Sequence, residues 1–192
     1  MSNRMKSPRV ALDSLGCKLN QAEIQALSRQ FAGAGYTLVK PTDKADIYIL
    51  NTCTVTHVAD RKSRHLLRLA RRRNPSVRLA AIGCYAERAP NELAGIEGVE
   101  LVLGNRQKWD VLKLLGDAGS PATTPTIFEK SRRTRAFVRV QDGCRNFCAY
   151  CIVPLVRSTE EIVPIKRAVA TVGELAADGC REVVLTGTEI GT

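Results

Sequence analysis

Ala45-Asp46-Ile47-Tyr48-Ile49-Leu50 is a short apolar run that leads through Asn51-Thr52-Cys53 into a segment from about His57 to Arg73, which halts at Asn74-Pro75. The run reads as a strand and the segment as a helix, ended where proline disfavours helical geometry in the residue before it. Upstream, Arg9-Val10-Ala11-Leu12-Asp13-Ser14-Leu15 is another strand, and Asn20 to Ala34 a helix with Ile24, Leu27 and Phe31 at apolar positions, ending at Gly33 and Gly35. Downstream, Val77 to Ile82 is a third strand and Glu87 to Ala94 a short helix; Val99 to Leu103 is a fourth strand and Lys108 to Leu115 a last helix. Strands alternating with helices predict the α/β class, here a flavodoxin- or Rossmann-like parallel sheet with helices on both faces over residues 1–115.

Turn formers and small polar residues are densest in Gly116-Asp117-Ala118-Gly119-Ser120-Pro121-Ala122-Thr123-Thr124-Pro125, which places a linker at 116–131. Residues 132–192 then begin again with a strand, Ala136 to Val140, a helix from about Ile165 to Ala177, and a strand, Glu182 to Leu185. Two parallel strands cannot bury both faces alone, so this unit is expected to be the truncated opening of a larger (β/α) barrel.

The 192 residues carry a formal net charge of +10 and are 44% hydrophobic and 25% charged. That balance fits a globular chain rather than a fibrous or disordered one, and the positive excess favours a polyanionic partner. Met1 to Ser7 is polar and leads into no apolar stretch, so a cytosolic setting without export or membrane span is expected. In a reducing compartment, 7 cysteines point first to metal.

Cys144-Arg145-Asn146-Phe147-Cys148-Ala149-Tyr150-Cys151 gathers three thiols at C-x3-C-x2-C spacing on one loop after a strand. A structural zinc site wants four ligands, and both histidines, His57 and His65, lie in the other unit. Three thiolates suit a [4Fe–4S] cube with one iron left open for a substrate or cofactor, against a zinc knuckle or an incidental cysteine-rich loop. Cys17, Cys53 and Cys84 are far apart in sequence, yet each follows a predicted strand. The carboxyl ends of parallel strands border the ligand crevice, so the three should meet there. A second [4Fe–4S] cluster is favoured over three small buried hydrophobes, whereas Cys180 is expected to be structural.

The eight residues from Cys144 to Cys151, with Tyr150 as the aromatic before the last cysteine, resemble the radical-SAM signature. Both triads in this order resemble the methylthiotransferases, in which a domain carrying an auxiliary cluster precedes the radical-SAM domain. Leu15 to Glu23 and Asn51 to Arg64 are similar to the branch acting on N6-threonylcarbamoyladenosine beside the tRNA anticodon. The isopentenyladenosine branch and the branch modifying a ribosomal-protein aspartate match less well.

The resemblance implies two [4Fe–4S] clusters, S-adenosylmethionine, a tRNA substrate and an electron donor of flavodoxin or ferredoxin type. Cys144, Cys148 and Cys151 would hold the cluster that cleaves S-adenosylmethionine, and Cys17, Cys53 and Cys84 the sulfur-supplying one. Tyr150, Gly187 and Glu189 would contact the cofactor, although Thr186 to Gly191 also reads as a plain strand-to-helix turn. The family's Arg-Gly-x-Glu-Arg-Ser-like run becomes Arg157-Ser158-Thr159-Glu160-Glu161-Ile162, which keeps Arg157 and Glu160 and loses a glycine and basic charge.

Arg61, Lys62, Arg64, Arg68 and Arg72 belong to a basic run at helical spacing that could track an RNA backbone or simply form a solvated face. Two other readings of the whole chain stand beside the first: another radical-SAM enzyme with an electron-transfer auxiliary cluster, and a non-enzymatic zinc RNA-binding module.

Overall fold

The structure, a computed structural model, describes residues 7–116 and 134–191. Five parallel strands form the sheet: β1 (Arg9–Ser14), β2 (Thr37–Val39), β3 (Ile47–Thr52), β4 (Arg78–Gly83) and β5 (Val99–Leu103). Their spatial order is β2-β1-β3-β4-β5, so the sheet winds outward in both directions from the β1/β3 pair. That is the flavodoxin-like order, in which the crevice lies at the carboxyl ends of the central strands. The sequence reading missed β2, which is only three residues long and pairs with β1 as an edge strand.

Alternation along β3 explains the two cores. Ile47 and Ile49 join Val10, Ala80 and Ile82 on one face, where α1 (Lys18–Gly33) and α5 (Val111–Leu115) cover them with Ile24, Leu27, Phe31, Val111 and Leu115. Tyr48 and Leu50 join Ala11, Leu79 and Ala81 on the other face, beneath α2 (His57–Arg73), α3 (Cys84–Arg88) and α4 (Pro90–Ala94). A strand apolar on both sides is what a doubly covered parallel sheet requires. The Thr56 hydroxyl caps α2 by accepting from the Ala59 N–H at 3.1 Å. The expected helix from Glu87 starts earlier, at Cys84, and breaks before Pro90 into two short pieces.

The second unit is one parallel crossover, β6 (Arg135–Arg139), α7 (Ile165–Ala177) and β9 (Glu182–Thr186). Between β6 and α7 lie β7 (Gln141–Asp142), the cysteine loop, α6 (Val153–Val156) and β8 (Glu161–Ile162), with β7 and β8 paired antiparallel. Its buried apolar cluster is Ala136, Val138 and Leu175, far thinner than either core of the first unit. β6 instead leans on α1, where Gln25 Oε1 accepts the Phe137 N–H at 3.1 Å. The expected linker, from 117 onward, lies outside the described residues.

Candidate metal centres and the buried seam between them

Strand register brings the first three cysteines to one edge. Thr52 of β3 pairs with Gly83 of β4, so Cys53 and Cys84 are the next residues out of two neighbouring strands, about 5 Å apart in such a sheet. Gly16, at φ 95°, lies so close that a Cβ there would stand 2.7 Å from Cys53 Sγ. Cys17 follows as the N-cap residue of α1, with no side-chain cap bond, and Cys84 opens α3 behind Gly83. Burial pushes the Cys53 thiol up, the Val55 N–H draws it down, and the thiols of Cys84 and Cys17 push it up again.

Cys53 and Cys84 are buried and Cys17 is exposed, so the group opens outward on one side. No set of three or more His, Cys, Asp or Glu side chains among the described residues closes on a single metal ion. Three thiols that each serve a different corner of a cube are spread more widely than ligands of one ion. The donor set is all sulfur at these three positions, which suits iron–sulfur chemistry better than hard cations.

The second triad lies on the loop after β7. Gly143, at φ 79°, starts it where a Cβ would strike the Thr159 carbonyl, and the Cys151 N–H donates to the Cys148 carbonyl at 2.9 Å. Gln141 Oε1 accepts the N–H groups of Thr188 and Glu189 at 2.8 and 2.9 Å, folding the segment after β9 over the loop. The Cys144 thiol thereby donates to Glu189 Oε2 at 3.1 Å, and Asn146 Nδ2 donates to the same oxygen at 2.6 Å. Gly187 packs on Gln141, where a Cβ would meet that side chain at 2.9 Å. Glu189 and Gly187 are thus gathered at the cysteine loop, while Tyr150 projects from it at 93% exposure. Cys180 sits beside the Ala136 cluster with its thiol 3.1 Å from the Glu182 carbonyl, as a packing residue would.

A buried polar seam joins the two triads, and the sequence reading did not foresee it. Glu23 on α1 is fully buried and takes Lys108 Nζ on one side and Arg157 Nη1, at 2.8 Å, on the other. Asn51 Nδ2 donates to Glu23 Oε2 at 2.8 Å, and Arg157 Nη1 also reaches Asp142 Oδ1 at 2.6 Å. Asn20 ties the seam to the backbone by donating to the Leu15 and Thr52 carbonyls at 2.7 and 3.0 Å.

Burial alone would raise the Glu23 carboxyl, yet Lys108 and Arg157 hold it down at about 2. Burial works against the Arg157 cation too, and Glu23, Cys84 and Asp142 outweigh it, so its pKa lies above the ordinary value. For Lys108, burial prevails over Glu23 and Asp142 and lowers the ammonium below its usual range. Two cations converge on Glu23 and keep it ionised.

On α2, Arg61, Lys62, Arg68 and Arg72 stand exposed. Arg64 does not share that stripe freely: it is half-buried, bonds the Tyr85 hydroxyl and lies 3.4 Å from Glu92. No helix among the described residues is long and apolar enough to cross a membrane.

Fold and site together define an α/β protein with two cysteine triads, one at the carboxyl edge of a parallel sheet and one on a loop of the adjoining β-α-β unit. Residues 9–104 match the family described as "Uncharacterized protein family UPF0004", and the chain belongs to that family. It is 40% identical, over 95% of its length, to the threonylcarbamoyladenosine tRNA methylthiotransferase MtaB of Aquifex aeolicus (strain VF5), of which it covers 48%. With the MtaB of Bacillus subtilis (strain 168) it shares 36% identity over 95% of its length and 44% of that protein. A ribosomal protein uS12 methylthiotransferase RimO, from Chloroflexus aurantiacus (strain ATCC 29366 / DSM 635 / J-10-fl), is 29% identical over 92% of this chain and 45% of its own. The chain spans about half the length of these curated relatives.

Proposed function

We propose that this chain is part of a radical-SAM methylthiotransferase that modifies C2 of N6-threonylcarbamoyladenosine next to the tRNA anticodon. The observation that carries the reading is the placement of Cys53 and Cys84 directly after the paired residues Thr52 and Gly83, with Gly16 packed against Cys53 and the thiols of Cys84 and Cys17 near enough to push the Cys53 thiol up. A separate triad of loop cysteines in the second unit supports it, as do the names of the relatives. The β-α-β unit would then be the first part of a radical-SAM barrel.

Cys17, Cys53 and Cys84 would hold an auxiliary [4Fe–4S] cluster, and Cys144, Cys148 and Cys151 a second. When bound, the two clusters with S-adenosylmethionine would supply an adenosyl radical and the transferred sulfur. The chain's own residues do the positioning. Three thiolates per site would hold a cube with one iron left open, and a ligand bound there would be positioned beside its reaction partner instead of meeting it by diffusion. The Glu189 carboxylate, fixed through Gln141, stands beside Cys144 where it can accept hydrogen bonds from an ammonium group such as that of the cofactor's methionine. Arg61, Lys62, Arg68 and Arg72 would meet tRNA phosphates, a contact that orients without reading bases.

Nucleoside mass spectrometry of tRNA tests the activity and the stripe together. Cells lacking the gene should lose 2-methylthio-N6-threonylcarbamoyladenosine and regain it from the intact gene. A gene with Arg61, Arg68 and Arg72 changed to Glu should restore little of it and give protein with weaker, less salt-dependent tRNA binding. An unchanged nucleoside profile in the deletion would reject the assignment.

A further inference from the structure

The second unit reaches into the first triad through one side chain. Arg157, following α6, is 4% exposed and spends its guanidinium on the seam. Its Nε donates to Cys84 Sγ at 3.3 Å, and its Nη2 to Asn20 Oδ1 at 2.8 Å and Glu23 Oε2 at 3.3 Å. Its Nη1 holds Asp142 Oδ1 at 2.6 Å, and Asp142 stands two residues before Cys144. One rigid fork therefore touches a thiol of the sheet-edge triad and the stem of the loop triad. Asn105 secures the approach, donating to Cys84 Sγ at 3.5 Å and to the Val156 carbonyl at 2.6 Å.

Asn20 Oδ1 also accepts from the Cys17 thiol at 3.6 Å, so the same seam touches two of the three sheet-edge cysteines. A guanidinium is planar and permanently charged, and its donors point in fixed directions, which suits it to hold several acceptors at set distances. Hydrogen bonds and positive charge at a ligating sulfur favour the more electron-rich state of an iron–sulfur centre and so raise its potential. The groups around a metal ligand orient it and tune its chemistry in the same way.

We propose that Arg157 is a positioning residue of the auxiliary centre. It is supplied by the second unit, fixes Cys84 and sets the span between the Cys84 corner and the Cys144 loop. The proposal rests on the two-cluster reading above. It makes the sheet-edge site incomplete in the first unit alone, although all three cysteines lie there.

The test compares Arg157→Gln and Arg157→Lys with the unchanged chain, with and without anaerobic reconstitution. Without metal, alkylation of Cys84 followed by peptide mass spectrometry should slow by up to about tenfold in Arg157→Gln, because the reacting thiolate loses a charged hydrogen bond; a variant that merely unfolds would expose the thiol and react faster. After reconstitution, the potential of the cluster that disappears in Cys53→Ala should fall in Arg157→Gln and fall less in Arg157→Lys. The potential of the Cys144 cluster should stay fixed. Arg157→Lys keeps a cation facing Glu23 and Asp142, so it guards against a variant that merely unfolds. Two clusters whose potentials and Cys84 reactivity ignore both substitutions would overturn the role of Arg157 and leave the two-cluster reading standing. A single cluster indifferent to Cys53→Ala would overturn both.

Discussion

Glu23→Gln is expected to destabilise the protein by about 3–5 kcal/mol, the usual cost of removing one partner from a buried ion pair. The glutamate is fully buried between Lys108 Nζ and Arg157 Nη1, so the change strands two cations against a neutral amide. Asp142 then remains as the nearest carboxylate, 3.9 Å from Lys108 and 2.6 Å from Arg157, and cannot neutralise both. Small domains are stable by only about 5–15 kcal/mol, so most of the margin is at stake. Urea unfolding read by circular dichroism measures the loss, and a midpoint close to the parent's would contradict the seam as drawn.

The same group fixes a pH dependence. Its carboxyl is held at about 2 in the fold against 4.5 when free, so the unfolded chain binds the proton more readily. The stabilisation is fully present above about pH 4.5 and is lost as pH falls toward 2. By linkage it amounts to about 3 kcal/mol. Acid unfolding of Glu23→Gln should lack this component.

Gly83→Ala is the second large effect, with an expected loss of about 3 kcal/mol or more. Gly83 sits at φ 94° and ψ −153°, a region of backbone conformation open almost only to glycine. An added Cβ would also run into Asn51 Oδ1 and come within 3.0 Å of the Thr52 carbonyl. Neither neighbour can yield: Asn51 is fully buried and donates to Asn20 and Glu23, and Thr52 pairs with Gly83 itself. Because Cys84 is the next residue, the strain falls on the thiol as well as on the sheet. Thermal unfolding and thiol accessibility should both report it, and an unaltered melting temperature would show that the β4-to-α3 turn tolerates a side chain.

Much of this architecture can be read from local pattern. The runs Val10 to Leu12, Ile47 to Leu50 and Leu79 to Ile82 announce covered strands, and a cysteine just beyond each announces a shared edge. Thr37-Leu38-Val39 escapes because three residues are too few to show a period, and β1 rather than its own composition makes it a strand. The start of α3 escapes because the sequence does not show the conformation of Gly83, whose positive φ turns the chain straight into the helix.

The seam is the larger omission. Its bonds join residues 85 and 134 apart, Glu23 to Lys108 and Glu23 to Arg157, and no local periodicity encodes such a pairing. A hint was nonetheless present. Glu23 falls on the face of α1 that carries Ile24 and Leu27 into the core, where a carboxylate needs a buried cation. Arg157 stood out only as the surviving arginine of an otherwise altered run.

Anaerobic reconstitution, followed by iron and sulfide analysis with electron paramagnetic resonance, puts the two-centre account to its most direct test. About eight irons and eight sulfides per chain are expected, two [4Fe–4S] cubes, falling by half in Cys53→Ala while the signal from the Cys144 site persists. A chain that holds one cluster, with the same iron content after Cys53→Ala, would contradict it.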